Sequence, residues 1–233
     1  MGLTVLHAPL HAPSARLHPT VVTRQIHKHR ATMVGLTEAY GILPALGRMR
    51  GYRLVVESGG KDRHRGQKDN PILIRTAMRS LGSGQVLGCD AATPLRIAPE
   101  RWFTYSAFEV PHVGAVCHVV LHPHAGVQDK ASGLLRTDND RARQYGRQMK
   151  GLEAMLDFAA AVGWRAVVTG DLNFRDHGTD PRSPYDILRG HGLKVVSRGL
   201  DCIAFAPALG LDVDVVHAPA SITDHPWLVG RSR

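Results

Sequence analysis

The chain has 233 residues, 43% hydrophobic and 21% charged, which is ordinary for a globular protein and ample for one large core. Its formal charge is +9 before any of 14 histidines protonates, so an anionic partner is expected, nucleic acid being the commonest. Three scattered cysteines, Cys89, Cys117 and Cys202, exclude a disulfide framework and favour a reducing, intracellular (cytoplasmic) setting.

No apolar run approaches the ~18 residues of a membrane span, so no membrane association is expected. His and Pro interrupt the N-terminal apolar stretch where a signal peptide needs an unbroken core. Leu3 to Leu6 reads as a short strand. The Leu-His-Ala-Pro repeat that follows, through Pro13, reads as an irregular loop because of its prolines. Thr20 to Ala31 has helical spacing, with Arg24, Lys28, His29 and Arg30 on a basic side. Thr32 to Glu38 is an apolar strand ending in a carboxylate, a metal ligand or a solvated strand end. A short helix or turn to Arg50 and a strand at Tyr52 to Val56 come next. Ser58 to Asn70 is polar, basic and aperiodic and reads as a mobile surface loop; Lys61 to Lys68 within it suit a phosphodiester backbone or plain solvation.

Further strands are expected at Pro71 to Arg75, around Val86 and Leu87, at Thr93 to Ala98, at Arg101 to Val110 and at Gly114 to Leu121. The last runs straight into His122. Trp102, Phe103 and Tyr105 suit core packing better than base stacking, His118 reads as core, and His124 and Asn139 read as surface residues. Gln128 to Leu135 reads as loop. Arg141 to Val162 has helical spacing and is closed by Gly163.

The stretch that organises the chain is Ala166 to Arg175. A continuous apolar run, as in a buried strand, ends in Gly-Asp-Leu-Asn. Asp171 and Asn173 are two apart, so on an extended backbone they share a face. The pair reads either as an Asx-rich turn or as a carboxylate beside an amide at a site. A short helix near Tyr185 to Arg189 follows. A strand from Gly199 to Phe205 comes after it, then a strand from Leu211 to His217 with Asp212 and Asp214 outward. Last is Asp224-His225 leading into an apolar strand.

Collected in order, the strand ends carry Glu38, His122, Asp171, Asn173, Asp201, Asp224 and His225. Five blocks resemble the endonuclease/exonuclease/phosphatase, or DNase I-like, superfamily. Val34 to Glu38 resembles its "VxxLQE" strand, Val120 to His122 its "xTH" strand and Gly170 to Asn173 its "GDFN". Leu200 to Ile203 resembles "IDYI", and Thr223 to Pro226 resembles "SDHxP". The blocks span nearly the whole chain. The sequence departs from the pattern where the family has Asn at the end of its first strand: here His7 or His11 replaces it, or the contact is lost. Thr37 also stands where Gln is common.

The resemblance implies a four-layer α/β/β/α sandwich, two mixed sheets flanked by helices, in one domain over residues 1–233. It implies a hydrolase of phosphoester bonds using Mg²⁺, with Mn²⁺ as the alternative. Glu38 is the first choice of metal ligand and Asp224 the second, since Mg²⁺ takes oxygen ligands and needs few of them from the protein. Asp171, oriented by Asn173, would hold or deprotonate the attacking water. His225 would contact the phosphate or protonate the leaving group, with Asp201 on its other ring nitrogen, and His122 would stabilise developing charge. The basic charge favours a monomeric nuclease acting on DNA or RNA, of a size that suits a bacterial or phage genome. A phosphatase or phosphodiesterase of small molecules and a silent nucleic-acid-binding protein are the alternatives.

Overall fold

The computed structural model describes residues 2–55, 69–90, 100–176, 180 and 182–232. Two six-stranded sheets face each other. In the first the order is β11-β12-β1-β2-β4-β3, formed by β1 (Thr4–Pro9), β2 (Met33–Thr37), β3 (Tyr52–Val55), β4 (Ile72–Arg75), β11 (Leu211–Val216) and β12 (Trp227–Ser232). In the second it is β5-β6-β7-β8-β10-β9, formed by β5 (Arg79–Cys89), β6 (Arg101–Val110), β7 (Gly114–Leu121), β8 (Arg165–Asp171), β9 (Lys194–Arg198) and β10 (Asp201–Phe205). Each sheet is mixed: β1 runs parallel to β2 and β7 parallel to β8, and the other pairings are antiparallel.

Helices α1 (Ala12–Leu17), α2 (Pro19–His29) and α3 (Leu43–Gly47) lie with the first sheet, where Val22, Ile26 and Leu46 join Leu6, Val34 and Trp227 in one buried cluster. Helices α4 (Asp140–Ala161) and α5 (Pro184–Gly190) cover the second, where Tyr145, Leu152 and Leu188 pack on Val119, Val168 and Cys202. A third cluster, including Val5, Met33, Val116, Val167, Ile203 and Leu228, fills the space between the sheets. The two faces of the central strands, such as β2, β8 and β10, therefore serve different cores, which is why those strands read as continuous apolar runs. This is the expected four-layer sandwich.

Three local expectations are corrected. β1 continues through His7 to Pro9, and Ala12 to Leu17 is helical, with Pro13 in the first turn. A proline there costs nothing, because that N–H has no helical partner in any case. The expected short strand at Val86 is an eleven-residue edge strand, Arg79–Cys89. Its glycines hide it in the sequence, and aromatic rings of β6 cover two of them, Gly84 and Gly88. A Cβ on Gly88 would meet the Phe103 ring at 2.9 Å, and one on Gly84 the Tyr105 ring at 3.2 Å. Asn139 caps α4, accepting from the Ala142 N–H at 2.8 Å, and Gly163 follows at φ 73°. His124 is buried, not on the surface. The expected strand at 93–98 and the basic loop at 58–68 lie outside the described residues. Among the described residues no helix is long and apolar enough to cross a membrane.

Candidate active site

The inter-sheet layer changes character along its length. Leu3, Val5, Met33, Val116, Val167, Ile203 and Phe205 are apolar. The same alternation, continued along β1, β2, β7, β8 and back to the start of β10, brings His7, Gly35, His118, Thr169, Asp171 and Asp201 to the other end. The sheets approach closely there: a Cβ on Gly35 would lie 2.1 Å from Thr169 Oγ1 and 2.8 Å from Val120. His118 spans part of the gap and bonds Thr169 Oγ1 through Nε2 at 2.9 Å. Burial, reinforced by His7, holds its pKa at about 3, so this ring is neutral.

Asp201 anchors the first half of the site. It sits opposite Asp171 in the β8–β10 ladder and is 1% exposed. Its two oxygens are divided between two histidines: Oδ2 accepts from His225 Nδ1 at 2.7 Å and Oδ1 from His7 Nε2 at 2.9 Å. An ionised carboxylate only accepts, so both rings donate. Burial pushes the Asp201 carboxyl up, but the bonds from His225 and His7 outweigh it and hold its pKa below the ordinary value. The bond to Asp201, against the opposing effect of burial, raises His225 to about 9, leaving it an imidazolium at neutral pH.

His122, just past β7, anchors the second half. Its Nδ1 donates to Asp69 Oδ2 at 2.8 Å, and its Nε2 is 3.8 Å from Asp171 Oδ2. Burial alone would lower the pKa of His122; the adjacent Asp69 carboxylate outweighs burial and raises it. Asp69 also accepts from Arg101 Nη1 at 3.1 Å. This acid was hidden at the end of the stretch that reads as a mobile surface loop, yet it is buried. The one cue in the sequence is its place just ahead of the apolar run Pro71 to Ile74.

Asp171 lies between the halves. Its Oδ2 is 3.8 Å from His122 Nε2 and 3.9 Å from His225 Nδ1, too far for direct hydrogen bonds. Its Oδ1 accepts from the Asn173 backbone N–H at 2.9 Å. The extended-strand expectation for this pair is corrected: β8 ends at Asp171, and Asn173 is left-handed at φ 50°. Its side-chain amide donates instead to the Pro123 carbonyl at 2.9 Å, tying the β8 turn to the His122 loop.

Glu38 also sits at a left-handed position, φ 56°, with Oε2 accepting from the Ala12 N–H at 3.1 Å. Its turn is tied to Asp69 by the bond from the Ala39 N–H to the Asp69 carbonyl, and the β1–α1 loop is tied to the segment before His225 by the bond from the His11 N–H to the Ile222 carbonyl. Asp224 is exposed, with Oδ1 3.9 Å from His225 Nε2. Among the described residues neither histidine offered in place of the first-strand Asn joins a metal-type cluster: His7 is committed to Asp201, and His11 Nδ1 meets Ser14 Oγ at 2.8 Å.

Asp171, Asp201 and His225 each present a ligand atom within 4.8 Å of the others. A cation held by all three would displace the short Asp201–His225 bond. Glu38 and Asp224, the carboxylates expected as metal ligands, do not belong to this group, which is the one such group among the described residues.

No family model matches the sequence. No curated protein matches it at a significant level. Solved structures do. The human Nocturnin catalytic domain is 14% identical with a TM-score of 0.68, over 99% of this chain and 92% of that one. An endonuclease/exonuclease/phosphatase family protein from Bacteroides thetaiotaomicron is 15% identical with a TM-score of 0.66, over 99% and 94%. A mannosyl-6-phosphatase from the same bacterium is 15% identical with a TM-score of 0.65, over 98% of each. The chain thus has the paired-sheet fold of the endonuclease/exonuclease/phosphatase, DNase I-like, superfamily.

Proposed function

We propose that this protein is a metal-dependent phosphoesterase, and specifically a nuclease that hydrolyses phosphodiester bonds of DNA or RNA. The observation that carries the reading is Asp171 held between two histidines, each raised in pKa by its own buried carboxylate. The superfamily fold, shared with a phosphatase and with Nocturnin, supports the same chemistry.

The Asn173 N–H fixes one oxygen of Asp171, leaving Oδ2 to take a proton from water. The 3.8 Å gap to His122 Nε2 has room for a bridging oxygen, a water or a phosphoryl group. His122 donates there to developing negative charge. His225 turns its Nε2 edge towards Asp224 and the cleft, where its proton serves the leaving oxygen. Asp201 holds that ring in place and keeps it charged. On this reading Glu38 and Asp224 would hold Mg²⁺ or Mn²⁺, which would supply positive charge at the phosphoryl oxygens. The net charge of +9 favours a polyanionic substrate.

The test is cleavage of supercoiled plasmid and of labelled single- and double-stranded DNA and RNA with Mg²⁺, with Mn²⁺ and with EDTA, beside Asp171→Ala. Metal-dependent cleavage lost in the variant upholds the proposal. Failure on every nucleic acid, with turnover of a phosphorylated sugar, would move the assignment to a small-molecule phosphatase. Binding of nucleic acid without turnover would identify a silent binder.

A further inference from the structure

The proposed mechanism leaves one feature beside the site unused. A cavity of about 480 Å³ opens next to His225, lined by Arg198, Val215, His217, Ala218, Asp224 and Pro226 among others. Its volume lies in the range of small-ligand sites.

The β9–β10 hairpin sets one wall. Its two-residue turn, Gly199-Leu200, begins with Gly199 at φ 67°, the left-handed first position of a II′ hairpin. The Leu172 N–H donates to the Leu200 carbonyl at 2.7 Å, so the hairpin is pinned to the Asp171 turn. Arg198 is the direct cross-strand partner of Asp201, and paired residues project to the same face of a sheet. Arg198 is therefore carried on the same face as the acid that holds His225. It is exposed, and its side chain makes no ion pair or hydrogen bond among the described residues. The opposite wall is the end of β11 and the loop after it, which supply exposed Val215, then His217 and Ala218. Pro226 follows His225 directly. One cationic head group above small apolar side chains matches a ring carrying a phosphate. Asp224, in the same cavity, opposes an anion close to His225, which places the bound phosphate towards Arg198 instead.

We infer that this cavity binds a nucleotide unit flanking the scissile phosphodiester, with its phosphate on Arg198 and its ring against Val215, Ala218 and Pro226. The inference rests on the phosphodiesterase reading and makes it specific: the substrate carries a second phosphate one nucleotide away.

The experiment compares bis(p-nitrophenyl) phosphate, a dinucleoside monophosphate, and the same dinucleotide bearing a terminal 5′- or 3′-phosphate. It uses the full chain with Mg²⁺ or Mn²⁺, as wild type, as Arg198→Ala and as Arg147→Ala. Arg147 is an exposed cation on α4, outside this cavity, and controls for charge alone. One terminal phosphate should lower the wild-type KM about tenfold, the worth of one charged hydrogen bond. Arg198→Ala should lose that gain at unchanged kcat, with bis(p-nitrophenyl) phosphate turned over as before, and Arg147→Ala should keep it. No gain in the wild type, or a gain that survives Arg198→Ala, would overturn the inference. If no diester is hydrolysed, the enzymatic reading fails by itself, and calorimetry in EDTA with a deoxynucleoside 3′,5′-bisphosphate decides the cavity. Binding that weakens about tenfold in Arg198→Ala upholds it. Equal binding in both proteins, or none in the wild type, overturns it.

Discussion

Replacing Asp201 with Asn keeps the shape of the residue and removes its charge, so it isolates the electrostatic hold on His225. His225 titrates at about 9 in the folded protein against an ordinary 6.5. A folded-state pKa raised in this way stabilises fully below the unfolded value and fades as pH rises through the folded one. Linkage over that interval gives about 3 kcal/mol at pH 6, about 2 kcal/mol at pH 7.5 and close to zero at pH 10. The His225 side chain is 27% exposed, so solvent screening trims these figures only modestly. The depressed pKa of Asp201 describes the same bond from the other side and is not added. The Asn amide also meets the His7 N–H with fewer acceptors, a loss that does not vary with His225's charge. Urea unfolding of wild type and Asp201→Asn in EDTA, from pH 6 to pH 10, should therefore give a stability difference that shrinks by about 3 kcal/mol across the range. Proton NMR of the His225 ring should show its titration moving down towards the ordinary range in the variant. A stability difference that stays level from pH 6 to pH 10, or an unmoved ring titration, would refute the assignment of His225's charge to Asp201.

Three further outcomes are expected. Asp171→Ala should lower turnover by about 10³-fold while far-UV circular dichroism stays unchanged, as for a positioned base; turnover within tenfold of wild type would remove Asp171 from that role. Asp69→Asn should lower the His122 pKa and shift the pH–rate profile, because the Asp69 carboxylate is what raises it; a profile identical to wild type would make Asp69 merely structural. Gly35→Ala should destabilise by about 1–3 kcal/mol, the usual range for an overpacked core, since its methyl would sit 2.1 Å from Thr169 Oγ1. Thermal unfolding would read this, and an unchanged midpoint would show that the sheets part easily there.

The fold was legible because the strand pattern is strong: buried strands with cores on both faces leave continuous Val, Ile and Leu runs. Acids and histidines at their ends stand out against that background. His122, Asp171, Asp201 and His225 were readable for this reason. What the sequence concealed depends on contacts between distant segments. Asp69 looks like part of a basic loop because its partners, His122 and Arg101, are 53 and 32 residues away. His7 sits in a proline-rich repeat, and nothing nearby announces that its acceptor is Asp201, 194 residues on. Asn173 was misplaced by a local rule, since the strand stops two residues sooner than strict alternation assumes.

The two interior histidines of the first and second sheets show how position in the layer selects chemistry. His7 and His118 are both fully buried on the inward faces of neighbouring elements, and each has an unbonded Nδ1. Their other nitrogens meet different partners: a hydroxyl at Thr169 for His118, a carboxylate at Asp201 for His7. A hydroxyl both donates and accepts, so it suits a neutral ring, and burial then keeps His118 uncharged. A carboxylate fixes His7 as a donor on that edge, and its second oxygen does the same for His225. Asp201 therefore keeps its ionised form in the interior through two donors, only one of which faces the cleft. With one ring donor on each oxygen and 1% exposure, the acid is closed off from solvent. His225, partly exposed, is therefore the group this half of the site turns outward.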